Sequence, residues 1–138
     1  ERGLARLATA DVSGVRVLYK ALRRGEAIGL LPDQVPSQGE GEWVDFFARP
    51  AYTMTLSGRL AQTSDATVLL SFAERLPHGA GYALRFEPLP LDFSKPVPLQ
   101  INTALERVIA ISPAQYLWSY NRYKVPSGVV PPDAVKEQ

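Results

Sequence analysis

The most regular pattern of apolar and polar positions in the chain predicts an amphipathic helix over residues 14–24. Val15, Leu18 and Leu22 recur at a spacing that places their side chains on one face of a helix. Ser13 precedes this stretch and can act as its N-cap, because a serine hydroxyl accepts a hydrogen bond from a free N–H of the first turn.

Further along the chain, apolar runs and stretches in which apolar and polar residues alternate predict two more helices and three strands. Proline suits the first turn of a helix, so we predict a second helix from Pro50 to Gln62. Tyr82, Leu84 and Phe86 alternate with small or charged residues, which predicts a half-buried strand over 82–87. The remaining predicted elements are strands over 27–31 and 67–73 and a helix over 99–111.

The order of these elements predicts a mixed α/β fold, with a partly parallel sheet flanked by helices. We assign residues 1–124 to one portion of a domain and residues 125–138, which contain three prolines, to a flexible tail. The chain begins at Glu1 without a methionine, so we expect it to be a piece of a longer protein, incomplete at its amino end.

Composition excludes several classes of function. The 138 residues carry a net charge of +1, so no global field favours nucleic acid. The chain has no cysteine, which excludes thiolate metal sites and a cysteine nucleophile, and a single histidine excludes a histidine-based metal cluster. No apolar stretch is long enough to cross a bilayer, so we expect the chain itself to be soluble.

The single histidine, His78, lies in a Pro-His-Gly sequence within a hairpin turn predicted over 76–81. We interpret it as an exposed turn residue, because no serine and carboxylate can be assigned to it as a catalytic triad.

A carboxylate and an amide, Asp33 and Gln34, follow the predicted strand over 27–31 and precede a Gly- and Pro-rich loop over 35–43. Side chains at the carboxyl end of a buried strand commonly face a binding crevice. We therefore predict that Asp33 and Gln34 contact substrate. The alternative is that Asp33 caps a backbone amide of a turn.

Phe46, Phe47 and Arg49 precede the predicted second helix. The free N–H groups of a helix start favour anions, so Arg49 is a candidate anion-binding residue beside apolar surface. Alternatively, both phenylalanines belong to the core and Arg49 to the surface.

The segment 115–124 combines four aromatic side chains with Arg122 and Lys124. This composition is typical of nucleic-acid stacking, of a membrane interface, or of a terminal segment that docks its aromatic rings on the core. The near-neutral net charge argues against nucleic acid.

Four basic side chains lie opposite the apolar face of the first predicted helix: Arg16, Lys20, Arg23 and Arg24. They form either a solvated face or a surface for an acidic carrier protein or anionic headgroups.

Taken together, these segments resemble the bacterial lipid A lauroyl/myristoyl acyltransferase family, within the wider glycerolipid acyltransferase group. The matching segments are KALRRGEAIGLLPDQ (Lys20–Gln34), GEGEWVDFFARPAYT (Gly39–Thr53), FAERLPHGAGYALRFEP (Phe72–Pro88) and AQYLWSYNRYK (Ala114–Lys124). The last is similar to the family's near-terminal signature P-E-Q-Y-L-W-x-H-R-R-F-K. A glycerolipid-acyltransferase-like fold is what this resemblance implies.

The resemblance implies transfer of a fatty acyl chain, expected to be laurate, from acyl carrier protein to a lipid A precursor in lipopolysaccharide biosynthesis. It also implies work at the cytoplasmic face of the inner membrane of Gram-negative bacteria, with no cofactor and no metal. The family's His-x-x-x-x-Asp/Glu motif provides a general base. Ala83 stands five residues after His78, so we expect the catalytic residues upstream of Glu1 and no activity from this chain alone.

The resemblance also suggests roles for residues that are present. Asp33 matches an acidic residue of a later family motif and would position substrate or a basic partner. The candidates to bind phosphates of lipid A or of the carrier's prosthetic arm are Arg49, Arg75, Arg122 and Lys124. The competing interpretation is a non-catalytic α/β module that binds an anionic lipid or an acidic protein.

Overall fold

The computed structural model describes residues 6–132, in which three helices and two β-hairpins confirm the α/β class. The helices are α1 (Val12–Arg23), α2 (Leu56–Ser64) and α3 (Val97–Ile111). The strands are β1 (Gly41–Phe46), β2 (Arg49–Met54), β3 (Leu69–Arg75) and β4 (Tyr82–Pro88).

Helix α1 confirms the first predicted helix, but its N-cap is Asp11 rather than Ser13. The Asp11 carboxylate accepts hydrogen bonds from the Ser13 hydroxyl (2.6 Å), the Gly14 N–H (2.9 Å) and the Thr9 hydroxyl (2.8 Å). Because these bonds favour the ionised form, they lower the pKa of Asp11 from 3.8 to about 2.

The capping carboxylate makes the stability of the chain depend on pH. Its folded-state pKa lies below that of the unfolded chain, so its contribution is present above about pH 3.8 and is lost as the pH falls toward about 2. We expect Asp11→Asn to remove this part of the pH dependence while keeping the cap, and Asp11→Ala to lower the melting temperature at neutral pH as well.

Thermal unfolding of the three proteins from neutral to strongly acidic pH checks this expectation. An Asp11→Asn protein that loses stability in acid as steeply as the original chain would contradict the assignment.

Residues 49–54 form a strand, so the prediction of a helix from Pro50 is wrong for that stretch. Strands β1 and β2 pair antiparallel, with Phe46 opposite Arg49, and β1 begins at Gly41, inside the loop predicted over 35–43. Each strand of a two-stranded sheet is unpaired along one edge, which is why proline is tolerated in β2. Only the part of the predicted helix from Leu56 onward is helical.

The turn between β1 and β2 is built from residues that rarely adopt its conformation. Phe47 and Ala48 have φ angles of 47° and 55°, in the left-handed region that favours glycine or asparagine. The Phe47 N–H donates to the Glu106 carboxylate of α3 at 2.6 Å, and the Phe47 ring packs edge-on against Phe46. Tertiary contacts therefore hold a turn that local propensity does not favour.

The hairpin of β3 and β4 confirms two predicted strands and the turn over 76–81, but the more apolar face of β4 does not meet the core. The side chains of Tyr82, Leu84 and Phe86 are exposed. The opposite face of the hairpin carries Leu70 and Phe72 of β3, which pack against α3. Alternation separates the two faces of a strand but does not show which one meets the core.

Residues 27–31 do not form the predicted buried strand. Leu31 is 64% exposed, and this segment pairs with no strand within residues 6–132. Both sheets in that part of the chain are two-stranded and antiparallel, so the predicted parallel pairing is absent from it. An apolar run becomes a strand only where a neighbouring strand supplies hydrogen bonds.

Helix α3 confirms the third predicted helix and joins the two hairpins into one structure. Its Ile109 packs with Phe46 and Ala51 of the first hairpin. Its Ala104 and Val108 pack with Leu70 of the second. The core therefore consists of two clusters that share α3. The apolar face predicted for this helix, over Ile101, Leu105, Val108 and Ile109, lies in this core.

Within residues 6–132, no helix has the length and apolar content needed to span a bilayer. Part of the predicted tail is ordered on β1, since the Trp43 indole N–H donates to the Val130 carbonyl at 2.9 Å. Residues 133–138 lie outside the described residues, so their flexibility stays a prediction.

Candidate functional site

The candidate site lies where the loop after residue 31 meets the aromatic segment 116–124. The Val35 N–H donates to the Tyr120 hydroxyl at 2.9 Å and fixes the loop on this segment. Asp33, in the preceding turn, is half-buried and close enough for its charge to act on Tyr116 and Arg122. The loop of Asp33 is thus fastened to the segment of Arg122, and both residues were predicted to bind substrate.

Arg122 is the centre of this site and is only 2% exposed. Its Nη1 donates to the Tyr52 carbonyl at 2.9 Å, and its Nη2 donates to the Thr53 hydroxyl at 2.7 Å. A longer bond of 3.4 Å joins Nη2 to the Asn102 side-chain oxygen. Because these donors point inward, Arg122 is a core residue here and not the exposed phosphate ligand that its position in the sequence suggested.

Asn102 and Thr53 complete a buried polar cluster around Arg122. The Asn102 amide nitrogen donates to the Asp45 carbonyl at 2.9 Å and to the Thr53 hydroxyl at 3.0 Å. The Thr53 hydroxyl in turn donates to the Ala51 carbonyl at 3.0 Å. The cluster ties α3 to both strands of the first hairpin and to the segment that carries Arg122.

The Arg122 guanidinium has an incomplete set of partners within residues 6–132. Its Nε has no hydrogen-bond partner there, and no carboxylate lies within 4.0 Å of it among the ion pairs of that part of the chain. Burial lowers the pKa of Arg122, while the charge of Asp33 acts in the opposite direction. Arginine nevertheless stays protonated, so the site holds a buried cation with a carboxylate nearby.

An aromatic ring lies beside this cation, and further aromatic side chains surround that ring. The Arg122 guanidinium carbon lies 5.3 Å from the centroid of the Phe46 ring, and the Tyr123 hydroxyl donates to the Phe46 carbonyl at 2.8 Å. Tyr116 packs against the apolar core cluster of Phe46, Ala51 and Ile109. Burial raises the pKa of Tyr116, and the nearby Asp33 raises it further. Of the three interpretations of segment 115–124, docking on the core is therefore the one that describes Tyr116 and Tyr123.

Two other predicted cations lie on the surface beside this cluster. The Arg49 guanidinium stacks over the Tyr123 ring, 4.2 Å from its centroid, and the Lys124 ammonium lies 5.9 Å from the Tyr120 ring. Both side chains are exposed. Arg49 starts a strand, so the expected helix start beside it does not exist and offers no anion site.

The remaining predicted residues are placed differently. Gln34 is exposed in the turn beside Asp33. Arg75 is exposed at the end of β3, where its backbone N–H and carbonyl bond the Gln115 side chain at 2.8 and 3.0 Å. His78 is exposed in the turn before β4, as predicted, with a left-handed φ of 55°.

Asn102 and Thr53 are the functional candidates that the sequence prediction missed. Asn102 shares a helix face with Leu105 and Ile109, so a polar side chain in an otherwise apolar stripe was the available signal. Thr53 gave no such signal, because its stretch was predicted to be helical.

This arrangement suits positioning rather than proton transfer. A buried guanidinium with hydrogen bonds to β2 and α3 fixes the local backbone, and the loop that carries Asp33 is fastened to the same segment by Tyr120. His78, the histidine of this chain, belongs to the turn of the other hairpin.

Comparison with known proteins identifies the family. Residues 5–125 match a family model described as bacterial lipid A biosynthesis acyltransferase. The chain is 32% identical over 125 residues to the lipid A biosynthesis lauroyltransferase of Escherichia coli (strain K12), covering 86% of this chain and 41% of that protein. It is 30% identical over 118 residues to the lipid A biosynthesis palmitoleoyltransferase of the same organism, covering 81% of this chain and 38% of that protein.

A lipid A biosynthesis acyltransferase of Shigella flexneri is also 30% identical over 118 residues, with the same coverage of 81% and 38%. The chain thus spans about two fifths of the length of the curated relatives that it matches. Since the family model covers most of the chain, this chain belongs to the bacterial lipid A biosynthesis acyltransferase family.

Proposed function

We propose that this chain is part of an enzyme that transfers a fatty acyl chain, laurate, from acyl carrier protein to a hydroxyl group of a lipid A precursor. Its family membership supports acyl transfer in lipid A biosynthesis. Laurate is favoured because the lauroyltransferase matches over more residues, at slightly higher identity, than the palmitoleoyltransferase. The enzyme works at the cytoplasmic face of the inner membrane and has a glycerolipid-acyltransferase-like fold.

The observation that carries the proposal is the hydrogen bond from the Val35 N–H to the Tyr120 hydroxyl, which fastens the loop of the half-buried Asp33 to the segment that carries the buried Arg122. The loop that bears Asp33 is anchored at Tyr120, within the segment that resembles the family's terminal signature. A carboxylate held in this way can orient a polar group of a substrate, or a basic residue of the remaining enzyme, without itself transferring a proton.

The exposed cations have a separate role in this proposal. Arg49 and Lys124 flank the site on the surface, where their positive charges can meet the phosphates of a lipid A precursor. Gln34 contacts the same substrate from the turn. Arg75, on the other hairpin, is a phosphate ligand only if the substrate extends across α3.

By the general-base chemistry of the family, a histidine removes the proton of the acceptor hydroxyl, the oxygen forms an ester with the acyl carbon, and the carrier's thiol leaves. Ala83 stands five residues after His78, where the family motif has a carboxylate, so we expect the isolated chain to show no turnover with lauroyl-loaded carrier and a lipid A precursor.

A chimaeric enzyme tests the proposal. Residues 5–125 replace the matching region of the E. coli lauroyltransferase, and the chimaera is expressed in cells that lack this enzyme. We expect mass spectrometry of lipid A to show restored addition of one lauroyl group, and purified membranes to use lauroyl carrier protein as the donor.

A second chimaera that carries a palmitoleoyltransferase region controls for tolerance of the exchange. Addition of a different acyl chain would overturn the laurate assignment alone. A folded, membrane-bound chimaera without any acyl transfer would favour a non-catalytic binding module.

A further inference from the structure

Helices α1 and α2 lie side by side and enclose a groove of about 280 Å³ between them, on a different part of the molecule from the Arg122 cluster. Its floor is apolar and is formed by Val15, Tyr19, Leu56 and Leu60. Its volume lies below that of most small-molecule pockets but is enough for a few side chains. We refer to it as the basic groove, for the cations on its rim.

The rim of the basic groove carries Arg16 and Lys20 from α1 and Arg59 from α2, all exposed. The ion pairs found within residues 6–132 are made by other cations, namely Arg24, Arg85, Lys95 and Arg107. The rim charges are therefore not neutralised within that part of the chain.

The charge of the chain is strongly segregated around this groove. The residues of α1 and α2 include four cations and no aspartate or glutamate, although the whole chain has 15 basic and 14 acidic residues. A positive field over an apolar floor selects a partner with acidic side chains beside apolar ones.

The concave shape of the groove selects between possible partners. A flat bilayer would touch the ridge of α1, whereas cations on both walls converge on an object that enters between the two helices. An amphipathic helix that lays its apolar side chains in a groove is a common recognition mode.

We propose that the basic groove docks an acidic amphipathic helix of a partner protein, with Arg16, Lys20 and Arg59 pairing with its carboxylates. This inference deepens the proposed function and rests on it for the choice of probe, because an acyl-loaded carrier protein is an acidic partner that the reaction requires.

The probe is purified acyl carrier protein, and its binding to the chain is measured by fluorescence anisotropy at low and high salt. We expect Arg59→Glu to weaken binding about tenfold or more at low salt, and raised salt to weaken binding by the unmodified chain. Lys95→Glu is the matched control, since it changes the net charge of the chain equally but lies outside the lining of the groove and outside the basic face of α1. Circular dichroism verifies that both variants keep their helices.

A parallel arm uses vesicles of phosphatidylethanolamine and phosphatidylglycerol. Binding to vesicles without binding to the carrier protein would overturn the proposal in favour of a lipid-facing surface. The absence of both, or equal losses for Arg59→Glu and Lys95→Glu, would also overturn it. If the chimaera transfers laurate from the carrier equally well with Arg59→Glu, the groove assignment fails while the proposed function stands.

Discussion

Replacing Arg122 by lysine is expected to destabilise the chain by about 2–4 kcal/mol, a large share of the stability of a domain of this size. The guanidinium fork reaches the Tyr52 carbonyl and the Thr53 hydroxyl together, at 2.9 and 2.7 Å. A lysine ammonium is a point charge on a flexible stem and cannot reproduce this geometry. It would also leave buried acceptors unpaired.

Urea unfolding at neutral pH measures this effect, with Lys124→Arg as the control. Lys124 is exposed and makes only a long contact with the Tyr120 ring, so its substitution is expected to leave the unfolding midpoint unchanged. If Arg122 bound phosphate at the surface instead, Arg122→Lys would raise KM for the lipid acceptor without changing stability. Equal unfolding midpoints for Arg122→Lys and the original chain would refute the buried fork.

Periodic patterns predicted those elements whose stability comes from one continuous apolar face. Helix α3 is the clearest example, since Ile101, Val108 and Ile109 are all buried as its spacing predicts. Helix α1 was predicted for the same reason, from the face that carries Val15, Leu18 and Leu22. Its cap was misassigned because Asp11 and Ser13 are both suitable cap residues, and only the backbone geometry distinguishes them.

The first hairpin could not be predicted because its decisive contacts are distant in sequence. Its turn has Phe47 and Ala48 where a tight hairpin usually has glycine or asparagine, and Pro50 indicated a helix start instead. The Glu106 carboxylate and the buried Phe46 ring hold that turn in place. Such tertiary contacts override local preference.

The site was partly predictable for a similar reason. Asp33 and Arg122 were each recognised, through composition and resemblance, but nothing local indicated that they lie together. Their proximity depends on Tyr120, which bonds the loop to the terminal segment, and on Asn102, which helps to bury the arginine. Long-range pairing of polar groups leaves little periodic signal in a sequence.

The second large effect concerns Asp33, whose replacement by alanine is expected to lower turnover far more than stability. Within residues 6–132, no hydrogen bond to the Asp33 carboxylate is found, although its charge acts on Arg122 and Tyr116. If Asp33 capped the turn, its carboxylate would accept a hydrogen bond from a backbone N–H. Its removal should therefore change the melting temperature of the chain little, whereas a positioning role in the enzyme would be lost.

In the chimaeric enzyme we expect Asp33→Ala to reduce kcat/KM for the lipid acceptor at least about tenfold, or about 1.4 kcal/mol of transition-state stabilisation. Asp33→Asn keeps the size of the side chain and removes its charge, so a similar loss would assign the effect to the carboxylate charge. Asp45→Ala is the matched control, because Asp45 contributes its backbone carbonyl and not its exposed side chain to the Arg122 cluster. If Asp33→Ala instead lowers the melting temperature while the folded enzyme keeps its specific activity, Asp33 serves the turn, and the proposed site loses the carboxylate on which it depends.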